Sequence, residues 1–358
     1  MSSGNWRAMF DSSLRFSARM TVSALATFAV VQVVRVPLHG LWAVLTAVIL
    51  TQASVGGSIR ATVEYVLGTI AGAVYASLLS LLLPHDTPLT TGAVLGLSIA
   101  PLAYAAARNA AFRAAPFTAI IVLLLAGQFD QSPIAAALTR LLEVALGGAI
   151  AILVSLLVFP ELAQDRGRDM ALAALERLAH ALPVLLAALS TKTDPAEARR
   201  MQERIGALVT SLGAAAEEAR HEPAWLLATQ AKTGPLARTL RRLRHDLIII
   251  GRAATNPLPD TLARRLAPSL EGVGSAMREY LTGCANALEA RRSPPPPAGV
   301  QTAIEAYASE ISAMRSEGLT RALAIPEVEQ LFAVGFAFEQ VERNCSDLER
   351  CVREWMVP

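Results

Sequence analysis

The residues able to do chemistry are few, and most are ionisable groups set in long apolar surroundings. Arg60 and Glu64, four residues apart, share one helix face and either form a local ion pair or face a conduit. Arg113 directly precedes an apolar run, where it reaches for an anionic substrate or simply marks the positive side of a membrane. Glu143 directly precedes another apolar run, at most a turn inside the outer interface, and either pairs with Arg140 or carries a coupling proton. Charged groups at membrane depth are costly and are functional by default. Gln52 and Gln128 close two further apolar runs, and Gln52 joins Arg60 and Arg113 as a candidate substrate contact. Enzymatic signatures are missing. No Gly-Lys pair exists, so there is no phosphate-cradling loop, and His39, His85, His180, His221 and His245 lack metal-ligand spacing. No enzyme activity, metal or cofactor is therefore expected. Cys284, Cys345 and Cys351 fit neither a zinc site nor a disulfide framework and read as reduced thiols.

The elements that must position these residues are membrane helices. The chain is 53% hydrophobic with a mean hydropathy of +0.41, too apolar for an ordinary soluble domain. Of its 62 charged residues, 49 lie from Pro160 onward, which divides it into a transmembrane domain at 1–160 and a cytoplasmic helical domain at 161–358. A net charge of +2, balanced within the second half, argues against nucleic acid as a partner. Six charge-free runs predict six spans: Met20–Val34, Val36–Ile59, Tyr65–His85, Thr87–Ala107, Ala114–Phe129 and Val144–Pro160. The first and last borrow a turn holding Arg19 or Arg140 and Glu143. Runs two and five have shorter cores, Leu41–Thr51 and Phe117–Ala126, ending in Gly- or Gln-bearing segments that include Gly56, Gly57 and Asp130. Short, interrupted spans at matching places in two halves point to a transporter's binding site. With the N-terminus inside, Arg7, Arg15, Arg19, Arg60, Arg108 and Arg113 are all cytoplasmic and only Arg35 and Arg140 lie near the outer ends, so both termini are expected to be cytoplasmic. The polar start and the lack of a small-residue cleavage site predict no cleavable signal peptide.

Glu64-x-x-Leu67-Gly68 echoes Glu143-x-x-Leu146-Gly147, each Glu following an Arg at three or four residues. The echo predicts a 3+3 inverted repeat. Gly68 with Gly72, and Gly147 with Ala151, form small-x-x-x-small pairs that let helices approach closely. The second half reads as an all-α bundle with seams near a period of 3.5. These are Leu175/Leu178/Leu182/Leu185/Leu189, Met201/Ile205/Leu208/Leu212, Leu236/Leu240/Leu243/Leu247/Ile250 and Leu262/Leu266/Leu270/Val273/Met277. The last is the unbroken series from Leu331 through Val334, Phe338, Val341, Cys345, Leu348 and Val352 to Trp355. That last seam is long enough to serve a homodimer. Asp194-Pro195-Ala196-Glu197 predicts a capped helix start, Pro183 a kink, and Ser293 with Pro294–Pro297 a linker. Arg238, Arg241, Arg242, Arg244 and His245 form a solvated face or a contact with anionic lipid.

The segment from Trp42-Ala43-Val44-Leu45-Thr46-Ala47-Val48-Ile49-Leu50-Thr51-Gln52 through Gly56-Gly57-Ser58-Ile59-Arg60 and Glu64 to Leu67-Gly68-Thr69-Ile70-Ala71-Gly72 resembles the fusaric acid resistance protein-like family. That family includes the aromatic acid exporters and is related to the plant aluminium-activated malate transporters. The resemblance implies export of small, often aromatic, carboxylic acids from the bacterial inner membrane, driven by the proton gradient. It further implies a homodimer, because longer relatives carry two six-span halves, and in some members a periplasmic membrane-fusion protein as partner. By resemblance Trp42 is an interface anchor, Arg60 an anion contact, and Gly56, Gly68 and Gly72 helix-approach points. Two other readings stand beside the exporter: a passive organic-anion channel of the same fold, and a membrane-anchored scaffold or sensor.

Overall fold

The computed structural model describes residues 3–34, 40–84, 87–128, 132–191, 195–222, 233–255 and 257–356. Arg35, His39, His85, Asp86, Asp130 and Asp194 lie outside them. Among the described residues the chain is all-helical, 87% helix and no strand. It divides into two compact units, Met1–Ala163 and Gln164–Pro358.

The first unit holds α1 (Ser3–Val34), α2 (Leu41–Leu50), α3 (Val55–Leu82), α4 (Pro88–Arg108), α5 (Ala115–Gln128) and α6 (Pro133–Leu157). Four of these contain stretches long and apolar enough to cross a membrane: Ser13–Val34, Val55–Leu82, Pro88–Arg108 and Pro133–Leu157. The short runs become short helices. At 1.5 Å per residue α2 extends about 15 Å and α5 about 21 Å, less than a bilayer core. α2 stops because Thr51 turns extended (ψ 109°), and Ser54 restarts the chain as N-cap of α3 by accepting from Gly57 N at 2.9 Å. Run two is therefore corrected: it is not one span to Ile59, and its last five residues open α3. Run six is corrected as well. α6 starts at Pro133 behind a Ser132 cap (Ala135 N to Oγ, 3.2 Å), so Arg140 and Glu143 lie inside the helix instead of at its edge. A charge-free run locates lipid-facing segments. It misses charges that a helix turns toward its neighbours.

Packing in this unit is centred on the long helices α3 and α6, which lie against each other; α2 lies on α6, and α5 on α3. Glycine sets the spacing. A Cβ on Gly68 would come within 2.7 Å of Ala111 O, one on Gly72 would overlap Ala115 O, and one on Gly147 would meet Ala43 O at 2.5 Å. Gly56 is buried in the first turn of α3.

The second unit holds α7 (Ala163–Ala187), α8 (Pro195–Ala219), α9 (Thr233–Ala253), α10 (Asp260–Ala290), α11 (Ala298–Ser316) and α12 (Ile325–Glu354). α7 is also long and apolar enough to cross a membrane, yet its seam from Leu175 to Leu189 is buried in this unit's core. α7 runs on through Pro183, which lies against Gly274 of α10. The α9 and α10 seams are buried in full. The α12 seam lies in the same core: Val334, Phe338, Val341, Cys345, Leu348, Val352 and Trp355 are buried, and Phe338 meets Tyr307 edge-on at 4.9 Å. This corrects its assignment to a dimer interface, since one chain already covers it. Cys284, Cys345 and Cys351 are buried, unpaired thiols.

Candidate functional site

α6 faces α2 and α3 along a strip where polar residues replace Leu and Ile. At one end, Ser58 and Ser155 share a hydrogen bond of 2.9 Å, and Gln52 N donates to Ser58 Oγ at 2.9 Å. The same end is clamped by Arg19, fully buried, whose Nη2 donates to Ala53 O at 2.7 Å and meets Glu161 Oε2 at 3.3 Å. Val55 N donates to Glu161 O at 3.1 Å, so Glu161 ties the α2–α3 break to the end of α6 and to α1. In sequence Arg19 read as a flanking charge and Glu161 as the first residue of the other half. Nothing in their spacing, 142 residues, announces the pair.

Toward the other end lies Arg140. It is seven residues into α6, about 10 Å along the axis, and Glu143 is one turn further. Their side chains are only 3% and 4% exposed, and Nη1 stands 3.7 Å from Glu143 Oε2, too far for a hydrogen bond. Nη2 donates to Tyr65 Oη at 3.0 Å, and Nη1 reaches Thr46 Oγ1 at 3.5 Å, whose hydroxyl is itself given to Trp42 O at 2.7 Å. The guanidinium lies 5.5 Å from the centre of the Trp42 ring and 5.9 Å from that of Tyr65, within reach of cation–π attraction. Its Nε is buried with no hydrogen-bond partner among the described residues. A guanidinium carries five donors in a planar fork, and this one is under-used. Sequence reading set Arg140 near an outer helix end and did not count it among the candidate site residues; it lies seven residues into α6. The available signal was its position three residues before a carboxylate opposite Trp42.

The other expected residues are arranged differently. Arg60 Nε meets Glu64 Oε1 at 2.8 Å, with the two side chains 35% and 33% exposed. Gln52 gives its side-chain Nε2 to Ile49 O at 2.9 Å, closing the end of α2. Arg113 is exposed, in the turn leading into α5. The structure thus joins Glu143 to Arg140, Tyr65, Thr46 and Trp42, pairs Arg60 with Glu64, and leaves Gln52 and Arg113 outside both pairs. No group of three or more His, Cys, Asp or Glu among the described residues could hold a metal.

The helices that form this strip lie within the segment that resembles a known family. Residues 24–154 match the fusaric acid resistance protein-like family. No curated protein matches the chain. The family match takes in Trp42, Thr46, Tyr65, Arg140 and Glu143, and ends before Glu161 and the second unit. With the apolar helices, the match makes this segment similar to a family of membrane proteins described as fusaric acid resistance protein-like.

Proposed function

We propose that the chain exports small organic acids, aromatic carboxylates above all, across the bacterial inner membrane in a process coupled to the proton gradient. One observation carries the reading: in α6 a buried, under-satisfied guanidinium stands beside a buried carboxylate, with two aromatic rings against it, inside the family-matched segment. Such a group is expensive in an apolar helix packing and has no evident structural purpose that a Leu would not serve better. A permanently charged arginine suits an anion, and a neighbouring carboxylate suits a proton.

The same reading takes α1–α6 as six spans with cytoplasmic termini, α2 and α5 crossing as short, broken elements. Exchange of α1–α3 with α4–α6 leaves the packing pairs unchanged, since α2 on α6 becomes α5 on α3 while α3 on α6 maps onto itself. That supports the 3+3 inverted repeat. A homodimer completes the size of the two-half relatives that the resemblance implies, through a surface other than the α12 seam. A periplasmic membrane-fusion protein would continue the path outward.

The test is saturable flux of labelled 4-hydroxybenzoate in proteoliposomes, corrected for protein-free vesicles, with and without an imposed pH gradient. Protein-dependent flux that responds to the gradient is expected. Saturable flux indifferent to pH supports a passive channel, and absence of protein-dependent flux overturns transport in favour of a scaffold.

A further inference from the structure

We propose that Arg140 is the carboxylate-binding residue, that Trp42 and Tyr65 form the walls for an aromatic substrate ring, and that Glu143 is a built-in substitute anion which the substrate displaces. The proposal rests on the transport reading above.

Four observations converge. The Arg140–Glu143 contact is loose at 3.7 Å, although both groups are buried and nothing exposed competes for them. Optimised buried pairs close to hydrogen-bond distance and satisfy their remaining donors. The Nε donor is buried and unpartnered among the described residues. With Nη2 it forms one edge of the fork, the edge a carboxylate grips bidentately. The Trp42 and Tyr65 rings already flank the cation, so a benzoate bound to that edge would have aromatic surface beside its own ring. Finally, α2 carries Trp42 and Thr46 and is a short helix bounded by the capped break at residues 51–54, so it can part from α6 without unfolding a long span. The site is sealed in this conformation, as a resting state with its own anion in place requires.

Displacement has a proton consequence. The ionisable group facing Glu143 is Arg140 from its own helix, whose guanidinium also donates to Tyr65 of α3. α2 and α5 contribute no titratable side chain, and the buried arginine of α1, Arg19, is engaged by Glu161 at the far end. A carboxylate that has lost Arg140 in these surroundings is costly when charged. It therefore takes one proton from solvent as the substrate anion arrives, and releases it when the anion leaves and the pair re-forms. Anion and proton bind together and move in the same direction, so net export needs an outward gradient of the acid that exceeds the opposing proton gradient.

Binding of labelled benzoate, with uncharged benzamide as the comparison, tests this on the purified full chain in detergent at about pH 6 and about pH 8, where benzoate stays ionised. Glu143→Gln should bind benzoate several-fold tighter than wild type and lose the pH dependence that wild type shows. Glu143→Gln with Arg140→Gln leaves no buried charge unpaired, and should bind benzoate roughly ten- to hundredfold more weakly than Glu143→Gln alone. Its affinity for benzamide should be unchanged. Benzoate binding by the double variant equal to that of Glu143→Gln, or weaker binding by Glu143→Gln than by wild type, overturns the proposal. Should the double variant not fold, the Glu143→Gln result decides alone. If wild type carries acid in vesicles but these variants behave alike, transport stands and this site falls; if wild type carries none, the transport reading itself fails.

Discussion

Two arginine–glutamate pairs occur at echoing places in α3 and α6, and they are opposite in character. Arg60–Glu64 closes to 2.8 Å with about a third of each side chain exposed. Arg140–Glu143 stays open at 3.7 Å, fully enclosed by α2 and α3. Geometry explains the first pair: an i,i+4 contact with a third of each side chain outside the packed core is local, easily made and worth little. The second has no solvent to fall back on, so every unfilled donor on Arg140 is a standing cost. Sequence spacing treats the two as near-equivalents. Burial makes one a half-exposed brace and the other the candidate site proposed above.

The sharpest way to break this comparison is to remove one partner from each pair. Arg140→Gln leaves Glu143 buried without a counter-charge and should destabilise the protein by about 3–5 kcal/mol, read as loss of thermal stability in detergent. Adding Glu143→Gln should restore much of it. If Arg140→Gln unfolds no more easily than wild type, the enclosed pair is not enclosed in the working protein.

A buried carboxylate in the second unit tests whether burial governs there too. Asp246 accepts from Asn344 Nδ2 at 2.6 Å and is 3% exposed. Burial pushes its carboxyl up to about 6, against the opposing pull of the Asn344 hydrogen bond, His245 and Arg242. The folded state then holds a proton that the unfolded chain has lost, so stability falls as pH rises from about 4 to about 6 and is level above that. Asp246→Asn should remove this slope, on the order of 1–3 kcal/mol between the two ends, measured as the difference between wild-type and variant unfolding curves across that window. Parallel curves would contradict it.

Glycine spacing comes next. Gly147→Ala forces a methyl onto Ala43 O, and α2 must move off α6 where it carries Trp42 over Arg140. A loss of about 1–3 kcal/mol is expected. Gly92→Ala and Gly96→Ala, which meet nothing within 4 Å, should be neutral or slightly stabilising. Equal effects at all three positions would remove the close α2–α6 approach from the account. The smallest effect belongs to Arg60→Gln, at most about 1 kcal/mol on unfolding. A raised Michaelis constant with intact protein would add Arg60 to the substrate's path as a second anion contact.

Legibility in the sequence followed one physical rule. Wherever a helix turns one apolar face to a core, periodicity reveals it: the α9 and α10 seams are buried throughout, and the short core Leu41–Thr51 became α2 to within a residue. Where a residue's role depends on a partner far along the chain, spacing is silent. Arg19 with Glu161, and Arg140 with Trp42 and Tyr65, are of this kind. The start of α6 was hidden for the same reason, because Arg140 and Glu143 look like the end of an apolar run until Thr46 and Tyr65 are seen to receive Arg140. The α12 seam erred the other way. Its 3–4 repeat was real, but a heptad pattern does not say whether the facing helix belongs to the same chain.

The central claim is that an aromatic acid docks between Trp42 and Tyr65 on Arg140. It is tested most directly in a chain whose other tryptophans, Trp6, Trp225 and Trp355, are replaced by Phe, leaving Trp42 as the only indole. Titration with 4-hydroxybenzoate should change the Trp42 emission saturably, at the concentration that half-saturates flux in vesicles. Flux that saturates while Trp42 emission stays constant would contradict it.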